Sequence, residues 1–557
     1  LPIDRPTPVS RAFEGAGDEA LASQARIVAA FARSLRAGGW AVRRFETHVS
    51  WVLVAGRQAW KLKKALRTGF LDYGSLALRR RACDEEVRVN RRFAPDLYLG
   101  VVALRGPASA PVPDGEGPLL DWAVHMRAFP DDARWDRLAR AGGLRRAHVD
   151  QLAVWLAGQH AGAPVAGAPG ARLPADPVGH ALRQRRATLA SLRARLTDSE
   201  DCRLLAAIAA REARQAPALG AALAQRLAAG RFRECHGDLH LANLLLIDGR
   251  PLAFDAIEFD PALRWIDVIA DLAFASMDLA RHGRADLGRR LVDAYLAESG
   301  DYDGARVLRA HQVDRALVRG LVAALRHPPA ATARDRPGTA PHARLALAPW
   351  RTYLSLAWTL GEPVRPVLFA THGFSGSGKS SRTEGLVEAV GAVRIRADVE
   401  RKRMHGLSPA ARSGSAPSGG IYGAAATEAT YARLCELAAP VLAGGLDVVL
   451  DATYLRRAHR DRARACARAL GVPFAILDFP VARAVLRARV AARAARCEGV
   501  SEADPLVLER QFALAEPLGA DELRQAHRLR AARPGTRGSA AAWRRLRARV
   551  AAGHVVR

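Results

Sequence analysis

The spacing of apolar positions divides the chain into two stretches of different character. Residues 19–37 carry apolar side chains at helical spacing, and 49–64 alternate as His-Val-Ser-Trp-Val-Leu-Val and Ala-Trp-Lys-Leu-Lys-Lys around Gly56-Arg57, which predicts a β-hairpin. Helical spacing returns over 76–93, and strands are expected at 97–104 and 121–129, on either side of a Pro/Gly-rich loop at 106–118. From 133 to 230 the pattern is largely helical, broken by the Ala/Gly/Pro stretch 161–177, and is followed by a strand–loop–strand block over 232–258 and helices over 264–328. A loop is expected at 328–343 and a short helix at 344–360.

Beyond Gly361-Glu-Pro-Val-Arg-Pro366 the period changes. Apolar runs suited to buried strands (367–371, 392–396, 447–451, 473–478) alternate with helical segments (379–390, 424–443, 456–470), the signature of a parallel sheet with crossover helices. After Arg533 the chain is basic and is expected to be frayed helix. No internal repeat of 20–50 residues is present. The expected division is a first domain over 1–345, a linker over 346–365, a second domain over 366–534 and a basic tail over 535–557.

With 557 residues, two to four folding units are expected. The longest apolar runs fall short of a membrane span, and Leu1 to Arg26 holds no apolar signal core, so a cytoplasmic protein is expected, with no membrane partner. The first residue is Leu rather than Met. The six cysteines form no CxxC pair, and none has a nearby His at zinc-ligand spacing. The net charge of +28 rests on 79 arginines and only five lysines. We read the excess as drift toward Arg and Ala in preference to a nucleic-acid surface, because the arginines are interleaved with Ala and Leu along the whole chain. The scarce lysines (61, 63, 64, 379 and 402) gain meaning from their scarcity: an ammonium is wanted where a compact charge must fit against phosphate.

Two motifs carry chemistry. The first is His236-Gly-Asp238-Leu-His-Leu-Ala-Asn243, with Asp255 twelve residues past Asn243. Asp238 can orient a hydroxyl and accept its proton, and Asn243 and Asp255 supply the oxygen ligands that an ATP-bound Mg²⁺ needs. The second is Gly373-Phe-Ser375-Gly376-Ser377-Gly378-Lys379-Ser380, a GxxxxGK[ST] sequence after an apolar strand and before a helix. Its backbone N–H groups, from Gly373 through Ser381, suit phosphate oxygens; Lys379 suits the β- and γ-phosphates and the Ser380 hydroxyl a Mg²⁺ ion. Asp451, ending the run Val448-Val-Leu, suits the same Mg²⁺ shell.

The HGDxxxxN segment with its following Asp resembles the aminoglycoside phosphotransferase family of the protein-kinase-like fold. That resemblance implies a two-lobed α+β domain with a phosphate-binding lysine on an N-lobe strand, either Lys61 or Lys63, and a glutamate partner on the next helix, for which Glu86 is chosen over Glu85. It also implies a hinge over Trp122–Phe129 and a bracing role for Asp271. The N-lobe shows no Gly-rich loop. The run from Lys61 to the Cys-Asp-Glu-Glu helix is closer to bacterial two-domain proteins of the superfamily than to antibiotic-modifying enzymes, so an aminoglycoside acceptor is not implied.

The second domain resembles P-loop ATP-binding domains of the AAA type, polynucleotide kinases and zeta-toxin-like kinases, which implies an α/β parallel-sheet domain. By that resemblance Asp398 activates an acceptor hydroxyl, Arg401 binds an acceptor anion, and Arg489 and Arg493 on a lid helix close over the transferring phosphate. The expected function is a bifunctional ATP- and Mg²⁺-dependent phosphotransferase with two hydroxyl-bearing acceptors. The alternatives are an ATP-binding regulator with one inactive half and a kinase of nucleic-acid 5′-hydroxyls.

Overall fold

The computed structural model describes residues 18–67, 71–168, 171, 173–326, 349–414, 420–496, 504–529 and 538–553. The expected 328–343 loop, the chain start and Cys497 lie outside these residues.

The first lobe opens with helix α1 (Asp18–Ala37) and strands β1 (Val42–Glu46), β2 (Ser50–Ala55) and β3 (Gln58–Lys63). The expected 49–64 hairpin is β2–β3, turning at Gly56, whose φ of 57° lies in the left-handed region that glycine tolerates. Helix α2 (Leu76–Asn90) follows; the Ser75 hydroxyl caps it by accepting from the Leu78 N–H at 3.2 Å. Strands β4 (Tyr98–Arg105), β5 (Val112–Pro113) and β6 (Leu119–Arg127) complete an antiparallel sheet in the order β1-β2-β3-β6-β4-β5. Both of its faces are covered. Val28 and Phe31 of α1 pack on Trp51, Leu53 and Trp60, and Cys83 and Val87 of α2 pack on Val124 and Met126. Strand β1 was not anticipated: Val-Arg-Arg-Phe-Glu buries little, and its pairing with β2 rather than an apolar pattern makes it a strand.

The second lobe is helical: α3 (Trp135–Arg140), α4 (Arg146–Gly162), α5 (Pro177–Arg193) and α6 (Ser199–Ala228). Four short strands then flank the HGD loop: β7 (Phe232–Glu234), the hairpin β8 (Leu244–Ile247) and β9 (Arg250–Ala253), and β10 (Trp265–Asp267), which pairs with β7. Helices α7 (Ile269–Arg281), α8 (Ala285–Ser299), α9 (Ala305–Arg326) and α10 (Pro349–Gly361) follow. Helix α10 occupies most of the 346–365 segment and packs along α9, burying Leu354 and Ala357 in a cluster with Val313 and Leu317.

The last part is a five-stranded parallel sheet. Its elements are β11 (Leu368–His372), α11 (Lys379–Val390), β12 (Val393–Arg396), α12 (Ala397–Met404), α13 (Ala424–Ala443), β13 (Val448–Asp451), α14 (Arg457–Ala469), β14 (Phe474–Asp478), α15 (Arg483–Arg496), α16 (Pro505–Leu514), α17 (Ala520–Leu523) and β15 (Ala526–Arg528). The strand order is β12-β13-β11-β14-β15, so the chain reverses direction across the sheet at β11 and opens a crevice at that strand's carboxyl end. Helix α18 (Ala540–Ala551) corrects the expectation of a frayed tail. Trp543, Leu546 and Val550 are buried against Val367, Leu386 and Ala389, and Arg547 Nε donates to Asp447 at 3.0 Å.

The two halves share one apolar core. Leu291, Tyr295 and Leu308 join a cluster that continues into Leu368, Ile395, Leu434 and Val441. Asp293 of α8 accepts from the Arg394 backbone N–H at 2.7 Å and from its Nη2 at 2.6 Å, and Arg394 Nη1 donates to the Ser380 carbonyl at 3.1 Å. Arg290 bridges Asp150 at 2.7 Å and Glu388 at 3.2 Å. Removing one member of the near-buried Asp293–Arg394 pair strands a charge, so Arg394→Ala is expected to lower stability by about 3 kcal/mol. The denaturant midpoint measures this, and an unchanged midpoint would show that the pair does not tie the halves together.

Candidate functional site

The first constellation forms where the two lobes meet. Strand β3 alternates, so Lys61 and Lys63 share a face and both reach the Glu86 carboxylate: Lys61 Nζ lies 2.7 Å from Oε1, and Lys63 pairs with Oε2. They differ in their second partners. Lys61 also pairs with Asp255, whereas the fully buried Lys63 pairs with Glu258, which accepts from the Tyr73 hydroxyl at 2.8 Å. Lys61 is thus the lysine that faces the Mg²⁺-ligand candidate, and Lys63 belongs to a buried strut beneath it. The opposing carboxylates raise the Lys61 ammonium above its ordinary range although burial alone would lower it, so it stays charged. Glu85 turns away to Arg88 and Arg264. Asp255 sits two residues past hairpin β8–β9 with φ 63°, its N–H donating to the Tyr98 hydroxyl at 3.0 Å. Asn90 on α2 accepts from the Ala256 N–H at 2.8 Å, which fixes α2 to the same turn.

The HGD loop is held by Asp271, whose carboxylate accepts from the N–H groups of His236 at 2.8 Å and Gly237 at 3.0 Å. Gly237 is required: its φ is 84°, and an added Cβ would stand 2.6 Å from the Leu263 carbonyl oxygen. Asn243 Nδ2 donates to Asp238 Oδ2 at 3.1 Å and to its carbonyl at 2.9 Å, bringing base and ligand candidates together. About a third of the Asp238 side chain (35%) is open, and His240 Nε2 lies 3.4 Å from its carboxylate. Burial pushes that carboxyl up, but His240, Arg319 and His236 together hold it well below the usual carboxylate range. His160, Cys235 and Asp271 also converge in the interior behind this loop, where His160 Nδ1 meets the Tyr295 hydroxyl at 2.7 Å.

The second constellation lies at the carboxyl end of β11. Gly376 has φ 84°, and a Cβ there would approach Val490 to 3.0 Å. Gly378, also in the left-handed region, opens α11, so Lys379 and Ser380 begin the helix with their N–H groups turned to the loop. Lys379 Nζ donates to the carbonyls of Gly373 at 2.8 Å and Phe374 at 2.9 Å, the two acceptors a phosphate would replace. Asp451 is buried with Oδ2 lacking a hydrogen bond among the described residues, and the Ser377 hydroxyl is in the same condition. Such orphaned groups fit a Mg²⁺–nucleotide. Ser381 is exposed at the start of α11.

Asp398 stands in the first turn of α12, where its field and that of Asp451 act on Lys379. Arg401 is largely engaged within the fold: Nη1 donates to the Ile421 carbonyl at 2.9 Å and to the Thr427 hydroxyl at 3.3 Å. On α15, Arg489 Nη1 reaches the Gly376 carbonyl at 3.3 Å, and Arg493 lies within the field of Asp398. The pattern along the sequence did not reveal Gln511 of α16, whose side chain accepts from the Ser375 N–H at 2.9 Å and donates to the Ser375 hydroxyl at 2.9 Å. Phe374 and Phe512 stack edge-on at 4.9 Å, so α15 and α16 cap the loop. A Gln in a helix carries no local signal; only the cap geometry singles it out.

Burial lowers the Lys379 amine to about 8, against the opposing pull of Asp451 and Asp398. A phosphate needs the ammonium, so nucleotide binding takes up a proton once the pH exceeds that value. Affinity at this site is expected to be level below pH 8 and to fall up to about tenfold per pH unit above it. Titration calorimetry across pH 7–10 in buffers of different ionisation enthalpy measures this; constant affinity with no proton uptake would reject it. The same depression makes folding more favourable as pH rises from about 8 toward the ordinary lysine range, because there the unfolded chain binds the additional proton.

Fold and sites together define the class: a two-lobed half that carries the HGD loop, followed by a parallel-sheet half with a P-loop. The AAA domain family matches residues 368–518. The chain belongs to the same family as the uncharacterized protein Rv2004c of Mycobacterium tuberculosis (strain ATCC 25618 / H37Rv), to which it is 30% identical over 453 residues, 81% of this chain and 86% of the relative. Protein Mb2027c of Mycobacterium bovis matches with the same figures. Among solved structures, similarity extends to a choline/ethanolamine kinase family protein from Mesorhizobium loti (15% identity, 61% of this chain and 99% of that one, TM-score 0.34). It extends also to a gluconokinase from Sinorhizobium meliloti 1021 (23% identity, 33% and 95%, TM-score 0.24). Among the described residues no helix is long and apolar enough to cross a membrane.

Proposed function

We propose that each half transfers the γ-phosphoryl group of ATP to a hydroxyl of its own acceptor. The observation that carries this reading is the joining of Lys61 to both Glu86 and Asp255, beside Asp238 and Asn243, in a chain that also has a P-loop with a buried lysine. No packing purpose explains two such sets.

In the first half Lys61 holds the nucleotide phosphates and is oriented by Glu86. Asn243 and Asp255 would hold Mg²⁺, which when bound neutralises charge on the phosphate oxygens. Asp238, kept ionised, orients the acceptor hydroxyl and takes its proton. In the second half the Gly373–Ser381 backbone and Lys379 cradle the phosphates, and Ser380 and Asp451 would hold the metal. Asp398 takes the acceptor proton there, Arg401 faces the acceptor side, and Arg489 and Arg493 of the capping helix approach the phosphates. Proton pick-up by a carboxylate needs no redox partner, consistent with an ATP-, Mg²⁺- and acceptor-dependent reaction.

The test is release of labelled phosphate from γ-labelled ATP by the parent chain, Lys379→Ala, and Asp238→Asn with Asp255→Asn. Separate partial losses are expected. Complete loss in Lys379→Ala with none in the double variant would make the first half a scaffold.

A further inference from the structure

The fields of Arg319 and Arg326 reach the Asp238 carboxylate, and these belong to a group of arginines for which the phosphotransfer reading has no use. Arg315, Arg319 and Arg326 follow one another on α9 at spacings of four and seven and so share one helix face. Arg281 ends α7, which packs on α9. The Arg281 guanidinium stands 5.2 Å from the Tyr353 ring of α10, and that of Arg315 stands 5.3 Å from the Phe274 ring. Phe274 meets His240 edge-on at 5.5 Å, and His240 contacts Asp238. Two helices, α7 and α9, therefore bring cations to the side of His240, and the fields of Arg319 and Arg326 reach Asp238.

Several buried arginines elsewhere are matched directly to carboxylates. Arg226 is matched to Asp267 and Asp301, and Arg460 to Glu522. The half-buried Arg281, Arg315 and Arg319 have Nε atoms without a hydrogen-bond partner among the described residues, as Arg401 and Arg464 do elsewhere, while the Arg319 guanidinium also meets the Tyr353 hydroxyl. Asp278 is the other carboxylate whose field reaches Arg319, and it is already accepting from the Leu241 N–H at 2.9 Å. Burial and the neighbouring Arg319 hold Arg326 below the usual guanidinium range, and burial and Arg326 hold down His48 on the β1–β2 turn. Arg326, at the end of α9, thus lies near the β1–β2 turn of the first lobe. A cationic acceptor would be repelled there, and a neutral one without an acceptor group would leave the Nε donors of Arg315 and Arg319 unmatched.

We infer that the acceptor of the first half is an anionic hydroxyl compound, with a phosphate or carboxylate group seated among Arg281, Arg315, Arg319 and Arg326 while its hydroxyl faces Asp238. This rests on the phosphotransfer reading of that half. The acceptor oxygen bonds to the γ-phosphorus, the bond from that phosphorus to ADP breaks with its electron pair leaving on ADP, and the hydroxyl proton passes to Asp238.

The experiment uses the full chain carrying Lys379→Ala, loaded with Mg²⁺ and a non-hydrolysable ATP analogue. Calorimetry then measures binding of inorganic phosphate, glycerol 3-phosphate and glucose 6-phosphate against glycerol, glucose and choline. At least one phosphate-bearing compound is expected to bind tenfold or more tightly than its neutral counterpart, and choline not to bind. Arg319→Gln and Arg315→Gln are expected to weaken that binding about tenfold to a hundredfold with analogue affinity unchanged, and Arg319→Lys to restore part of it. Failure of every phosphate-bearing compound, equal binding of neutral or cationic ones, or indifference to the arginine changes would overturn the inference. Lys61→Ala separates the two readings: if it leaves analogue binding intact, the phosphotransfer reading of this half fails, whatever the anions do.

Discussion

Lys379→Ala is expected to weaken ATP binding at the P-loop site by about a hundredfold or more and to lower turnover there by about 10³. The side chain is buried, its ammonium donates to the carbonyls of Gly373 and Phe374, and the scarcity of lysine in this chain leaves no substitute of the same shape. Arg489 approaches the loop from outside at the Gly376 carbonyl and cannot take a position on its floor. Lys379→Arg is expected to fail nearly as badly, because a planar fork does not fit where a compact charge sits between two carbonyls. Steady-state ATP hydrolysis and nucleotide titration measure both changes. A loss of less than about tenfold would mean that the loop does not hold the nucleotide through this lysine.

Asp238→Asn is expected to lower phosphoryl transfer by the first half by about 10²–10⁴ while leaving its ATP affinity within about twofold. The amide preserves the side-chain shape but cannot take the acceptor proton. Because His240, Arg319 and His236 hold the parent carboxylate well below its ordinary range, Asp238 contributes no loss of activity as pH falls through the usual carboxylate range. Single-turnover transfer in the Lys379→Ala background measures the effect. Equal rates in both proteins would remove Asp238 from the chemistry.

Much of this was legible in the sequence where local pattern and chemistry coincide. The Gly373–Ser380 loop, the HGD loop and the helix over 424–443 needed no tertiary information, since glycine placement and apolar period act locally. What could not be read was set by distant partners. Alternation along β3 put Lys61 and Lys63 on one face, but only Asp255 and Glu258, nearly two hundred residues away, assign them different surroundings. The tail helix α18 read as frayed because Trp543, Leu546 and Val550 are sparse among arginines; the sheet it covers makes them a core. The net charge likewise misleads on its own. Arg226, Arg264, Arg394 and Arg460 are internal struts bonded to carboxylates, whereas Arg315 and Arg319 differ from them in nothing the sequence displays.

The most direct test of the central claim counts nucleotides. Equilibrium titration of the full chain with a fluorescent, non-hydrolysable ATP analogue and Mg²⁺ should give two sites per chain. Lys379→Ala and Lys61→Ala should each remove one of them, and the double variant both. A parent stoichiometry of one, unaffected by Lys61→Ala, would contradict the account of two phosphotransfer sites.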